Sequence, residues 1–196
     1  MPKLHFVLLV FLALVWAACT KSQRRAEGYF DSLINAQTSR LIIAKPQVVK
    51  VSLLKGKQDQ KSFLPDSLTL NADLAIFRVL NTVDRFEKVS YKVDDRLRDE
   101  HSNLLVKAYT ATDNDIPVKQ VRIYYFQSLK NIKHIVAECT ERKALYSLSR
   151  HLEMDFEDMN GAPMMTAYRV TGTEKVILGD SLKFSVDSKI SFPGQH

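Results

Sequence analysis

Cysteine, glycine and tryptophan are scarce in this chain: two, six and one among 196 residues. Two cysteines cannot build a disulfide-dense scaffold, so the fold has to rest on a hydrophobic core. With so few glycines there are few places where bare backbone can cradle a phosphate, and no glycine-rich phosphate loop or Gly-x-Ser-x-Gly nucleophile elbow is present. His101, His134, His151 and His196 are too dispersed for zinc-ligand spacing, and no cofactor or metal is expected. Asp113-Asn114-Asp115 is rich in oxygen ligands. However, Ile116-Pro117 follows where a calcium loop needs glycine, so the segment reads as a polar hairpin turn. Lysine and arginine form no stripe with interleaved aromatics, which argues against a nucleic-acid partner.

What the chain does have begins with its one long apolar run. A basic start with Lys3 leads into Phe6 to Trp16, then Ala17-Ala18 directly before Cys19. This order resembles a bacterial lipoprotein signal, with Trp16 where leucine is usual. The resemblance implies a signal peptide over 1–18, lipidation of Cys19, a short linker over 19–25 and a single α+β domain over 26–196. Plain cleavage is the alternative. An uncleaved anchor is disfavoured, because the run is shorter than the ~20 residues that span a bilayer. Thr20, where inner-membrane retention signals carry aspartate, implies by the same resemblance an outer-membrane location. The absence of an acidic cluster from Thr20 to Arg25 implies a periplasm-facing chain. Lys21, Arg24 and Arg25 can hover over acidic headgroups for at most about 1 kcal/mol each, although such a run is more often only a solvated linker.

Residues 1–18 contain one lysine and no acid, so the 178 residues that follow carry 27 basic and 22 acidic side chains, a net charge of +5. If Cys19 is acylated, Cys139 has no partner and reads as a small buried core residue in Ile132-Lys-His-Ile-Val-Ala-Glu-Cys139. A catalytic thiol would need a base and exposure, for which His134 and His151 are candidates by type alone.

Ala26, Tyr29, Phe30, Leu33 and Ile34 predict a helix from Lys21 to about Gln37. Pro46 blocks its continuation, and Gln47 to Lys55 reads as a strand followed by a polar turn over Gly56 to Gln60. A second helix is expected from Asp66 or Ser67, through Leu70, Leu74, Phe77 and Leu80, to Asn81–Arg85. From there the period becomes two. Strands are predicted at Phe86–Val93, Leu104–Thr112, Val118–Gln127, Ile132–Thr140, Ala144–Phe156, Met164–Gly172, Lys175–Leu178 and Leu182–Phe192. Turn signals stand at Asn114-Asp115, Asn160-Gly161, Gly179-Asp180 and Asp187-Ser188. The clearest alternation places Tyr146, Leu148, Leu152, Met154 and Phe156 on one face, with Arg150 interrupting it. The mixed cluster Asp94, Asp95, Arg96, Arg98, Asp99, Glu100 and His101 reads as a solvated loop.

The fold class expected is therefore α+β, with two N-terminal helices packed on a long, curved, mainly antiparallel sheet. Met154, Met159, Met164 and Met165 with Phe156 and Tyr168 read as core, or as the lining of an apolar cavity under the sheet. Tyr124 and Phe126 should share one face, with Tyr125 on the other. In the order of its elements, the stretch 25–192 is similar in layout to the LolA-like lipoprotein-carrier class. The whole resembles bacterial lipoproteins whose mature part is one α+β domain. The resemblance carries over no site residue. It implies a membrane-anchored binding or envelope-assembly module for a protein partner or apolar ligand. An envelope hydrolase with a site dispersed through the sequence, and a purely structural lipoprotein, are the other two readings.

Overall fold

The computed structural model describes residues 28–177 and 179–193. The leader, Cys19, Thr20, Lys21, Arg24, Arg25, Ala26, Leu178 and His196 lie outside the described residues. In chain order the elements are α1 (Tyr29–Ala44), β1 (Gln47–Leu54), β2 (Lys57–Phe63), α2 (Ser67–Leu74), a 3-10 helix (Ala75–Leu80) and α3 (Asn81–Ser90). There follow β3 (Tyr91–Arg98), β4 (Leu105–Ala111), β5 (Val118–Tyr125), β6 (Ile132–Arg142), β7 (Tyr146–Met159), β8 (Ala162–Val176) and β9 (Ser181–Ser191). The nine strands make one open antiparallel sheet in the order β2-β1-β9-β8-β7-β6-β5-β4-β3. The α+β class is as expected. The helices do not precede the sheet as a block, however, because the β1–β2 hairpin lies between α1 and α2.

Helix α1 buries Phe30, Ile34, Gln37, Thr38 and Leu41, spaced as one face of a helix. It stops where Lys45 turns left-handed (φ 48°) and returns its N–H to the Leu41 carbonyl at 3.1 Å, directly before Pro46. It runs seven residues past the expected end at Gln37, because Leu41 continues the buried face. Asp66 caps α2 by accepting the Thr69 N–H at 2.7 Å. From Leu70 the buried positions Leu74, Phe77, Leu80 and Val83 continue unbroken through the 3-10 helix into α3. Each of these large side chains contributes about 1.5–3 kcal/mol by leaving water.

Five expectations fail. The segment Phe86–Ser90 is helical, and its strand begins only at Tyr91. Phe86 and Val89 remain exposed; the helix is held at its start, where Val83 is buried and Asp84 accepts the Phe30 N–H of α1. The expected turn over Gly56–Gln60 is instead a two-residue turn at Lys55-Gly56 (φ 51° and 76°), leading into β2. β2 shows no alternation because, as an edge strand, it is wet on both faces, and its charges blunt that edge. Asp94 to Arg98 form the other charged edge, β3, which shifts register between Asp94 and Leu97. Finally, β9 runs straight through Asp187-Ser188, and β8 joins two predicted strands across Gly172, where an added Cβ would lie 2.3 Å from the Phe184 ring.

The core fills the space between the helices and one face of the sheet. Ile123, Ile135, Leu152, Met154 and Tyr168 from the strands meet Phe30, Ile34, Leu74 and Phe77 from the helices. Met154, Met165 and Phe156 are thus buried among the core side chains, with Met164 partly buried beside them. No described helix is long and apolar enough to cross a membrane.

Candidate functional site

Because successive strands are antiparallel, the turns β1–β2, β4–β5, β6–β7 and β8–β9 all emerge at one end of the sheet. One row of paired residues near that end runs Leu54, Phe184, Gly172, Arg150, Cys139 and Val118 across six strands. Arg150 therefore shares the helix-covered face with Leu152 and Met154, where every second residue of β7 is apolar.

Beside Arg150 lies a cleft of about 580 Å³, walled by the β4–β5 and β6–β7 turns and by Val79 of the 3-10 helix. Lys119, Arg142, Lys143 and Arg150 line it, against the acids Asp115 and Glu141. The Lys119 ammonium donates to the carbonyls of Asn114 (2.5 Å) and Ile116 (2.6 Å), which fixes it in the wall. Glu141 accepts from the Tyr146 hydroxyl at 3.1 Å and lies 3.7 Å from Lys143. Arg150 Nε is buried and has no hydrogen-bond partner among the described residues. An unpaired buried donor of this kind costs roughly 1–3 kcal/mol.

The same end is apolar at its tips. Leu145 is 71% and Ile177 65% exposed, and they adjoin through a 3.1 Å bond from the Ile177 N–H to the Leu145 carbonyl. Val176, Leu53 and Leu54 are exposed close by. Lys55, Val176 and Leu182 share a second cleft of about 570 Å³ there, joining the β1–β2 tip to the β8–β9 tip. A third, of about 530 Å³, lies between β1, β2 and α2. Its wall is stabilised by Asp73, which accepts from Lys50 at 2.5 Å and from the Tyr168 hydroxyl at 2.8 Å.

The histidines and Cys139 do not meet. Cys139 is on the helix-covered face, and burial pushes its thiol up to about 11 despite nearby Arg150, so it remains protonated and unreactive. His134 and His151 lie on the opposite face. His134 Nδ1 pairs with Asp155 at 2.5 Å, and its ring lies 5.6 Å from that of Tyr124. His151 bridges Glu138 (2.5 Å, through Nδ1) and Glu153 (2.7 Å, through Nε2), and Arg169 extends the chain from Glu153 to Asp187. With a carboxylate on each ring nitrogen, both must carry protons, so the geometry calls for imidazolium. Asp113 to Asp115 form the expected turn, the Asp115 N–H returning to Asp113 at 2.8 Å. Tyr125 is buried and Tyr124 is on the outer face, as alternation requires. Among the described residues no group of three or more His, Cys, Asp or Glu is placed to hold a metal.

Sequence reading marked Arg150 only as an interruption of an apolar face, and missed the basic cleft altogether. Its walls come from residues 79, 114–119 and 140–150, which only the sheet and its helical cover bring together. No protein-family model matches the chain, and the comparison with curated proteins gave no match. Among solved structures, the chain is similar to the crystal structure of a LolA superfamily protein from Nitrosomonas europaea, at 9% identity and a TM-score of 0.29, over 84% of this chain and 94% of that one. So slight a likeness carries no argument about fold or activity.

Proposed function

We propose that this chain is a lipoprotein, acylated at Cys19 and held at the outer membrane facing the periplasm, that acts as a binding module through the loop end of its sheet. The observation that carries this reading is the juxtaposition at that end of exposed Leu145, Val176 and Ile177 with basic Lys55, Arg142, Lys143 and Lys175. Exposed apolar tips set among cations suit a surface that is apolar inside and anionic outside, which describes a lipid bilayer or an amphiphile leaving one, although the acids Glu141, Glu174 and Asp180 line the same clefts. The helices fill the other face of the sheet with core side chains, so an apolar ligand has its access at this end rather than beneath the strands.

Two measurements test the reading. Metabolic lipid labelling should vanish in Cys19→Ala and persist in Cys139→Ala; continued labelling of the first variant would refute the anchor. For the working end, an environment-sensitive fluorophore at Leu145→Cys should report an apolar setting when the protein sits on vesicles containing phosphatidylglycerol. The same probe at Ser128→Cys, on the exposed turn at the opposite end, should stay in water. Buried Cys139 keeps the labelling selective. A water-exposed probe at both positions would show that the loop end is not the membrane-facing one.

A further inference from the structure

We infer that the cleft beside Arg150 is a binding site for a phosphate group, either free or carried as a lipid headgroup. The inference is independent of Cys19 acylation. A guanidinium on the core face of β7, in register with Cys139 on one side and Gly172 on the other, has no carboxylate within ion-pair distance among the described residues. Arg150 is only half-buried, but its Nε–H is buried and unpartnered among the described residues, a donor that an anion in the cleft would satisfy.

The surroundings supply what a phosphate requires. Lys119 spends two of its three N–H donors on fixed carbonyls and keeps one. Arg142 and Lys143 stand on the cleft wall, and Glu141 is already engaged by Tyr146 and Lys143. A carboxylate would be satisfied by one forked arginine, whereas three or four convergent cationic donors match the several oxygens of a phosphate. A volume of about 580 Å³ also has room for more than the anion, and it opens at the end where the apolar tips stand.

The test uses the full chain from residue 19 with Cys19→Ser, so that no acyl group competes. Arg150 Nε–Hε gives its own NMR signal. Inorganic phosphate and dihexanoyl phosphatidic acid are titrated in separate arms, with dihexanoyl phosphatidylcholine as the zwitterionic control. We expect saturable movement of the Arg150 signal with a phosphate probe, and at least tenfold weaker binding in Arg150→Gln and in the wall variant Arg142→Gln/Lys143→Gln. The exposed wall variant keeps the test valid if loss of Arg150 disturbs folding. Tighter binding of phosphatidic acid than of inorganic phosphate assigns the headgroup as the source; equal binding assigns free phosphate. Absence of saturable movement with both probes overturns the inference, as does equal binding of phosphatidylcholine or unchanged affinity in the wall variant.

Discussion

Asp84 caps a helix to which it does not belong: its Oδ2 accepts the main-chain N–H of Phe30 at 3.0 Å, across 54 residues of sequence. Helix α1 has no side-chain cap of its own, since the residue before it is Gly28. The glycine is required by space and not by backbone angle. A Cβ there would sit 2.3 Å from the Asp84 carboxylate. Burial raises the Asp84 pKa above the usual carboxylate range, against the lowering effect of the Phe30 and Tyr29 N–H groups.

Gly28→Ala should therefore destabilise the protein by displacing the cap, by about 1–2 kcal/mol. Asp84→Ala should cost a similar amount, because it removes the same bond. The two losses should not add in full, since the same capping bond can be lost only once and Asp84→Ala removes the carboxylate nearest the new methyl, leaving only the Asp84 Cβ at 2.8 Å. Urea denaturation of both single variants and the double variant checks this; strictly additive losses would show that the two residues act separately.

Gln37 makes the analogous long-range link to the sheet. It is fully buried, donating through Nε2 to the Pro163 carbonyl and accepting the Met165 N–H at Oε1, both at 2.9 Å. β9 pairs with β8 only as far as Ala167, so the amide satisfies backbone groups that lack a strand partner. Gln37→Leu should cost about 1–3 kcal/mol, since the buried Met165 N–H loses its partner while the Pro163 carbonyl keeps the Arg40 guanidinium at 2.7 Å. Hydrogen exchange at Met165 should accelerate more than at Val170, which stays within the β8–β9 pairing. Equal protection at Met165 in the variant would contradict the assignment.

His151 gives the pH dependence. Partial burial works against its charge, but hydrogen bonds and attraction from Glu138 and Glu153 outweigh that and raise its pKa above the ordinary 6.5. A folded value raised above the unfolded one means that the imidazolium stabilises the fold below about pH 6.5, and that this contribution is lost as pH climbs through the higher folded value. The ring should titrate above 6.5 by NMR and shift down in Glu138→Gln. The stability gap between wild type and His151→Asn should narrow from pH 5.5 to pH 8.5; a widening gap would reverse the sign.

The sequence alone determined the α+β class and most of β4 to β9, because a sheet covered on one face imposes a period of two wherever burial is one-sided. It also placed the helix start at Asp66 or Ser67, of which Asp66 is the cap, and the Asn160-Gly161 turn (φ 56° and 78°), which depend on neighbours within a few residues. Tertiary structure decided the rest. β2 and β3 are charged edges whose pattern carries no periodic signal, and the segment from Phe86 continues a helix whose start is held by buried Val83 and by the Asp84 bond to α1. The Asp84 cap, the Gln37 link and the cleft around Arg150 join groups 54, 128 and more than 30 residues apart. Local sequence encodes the conformation of a segment; it does not encode which distant side chain will satisfy an unpaired donor, and the candidate site is built from such donors.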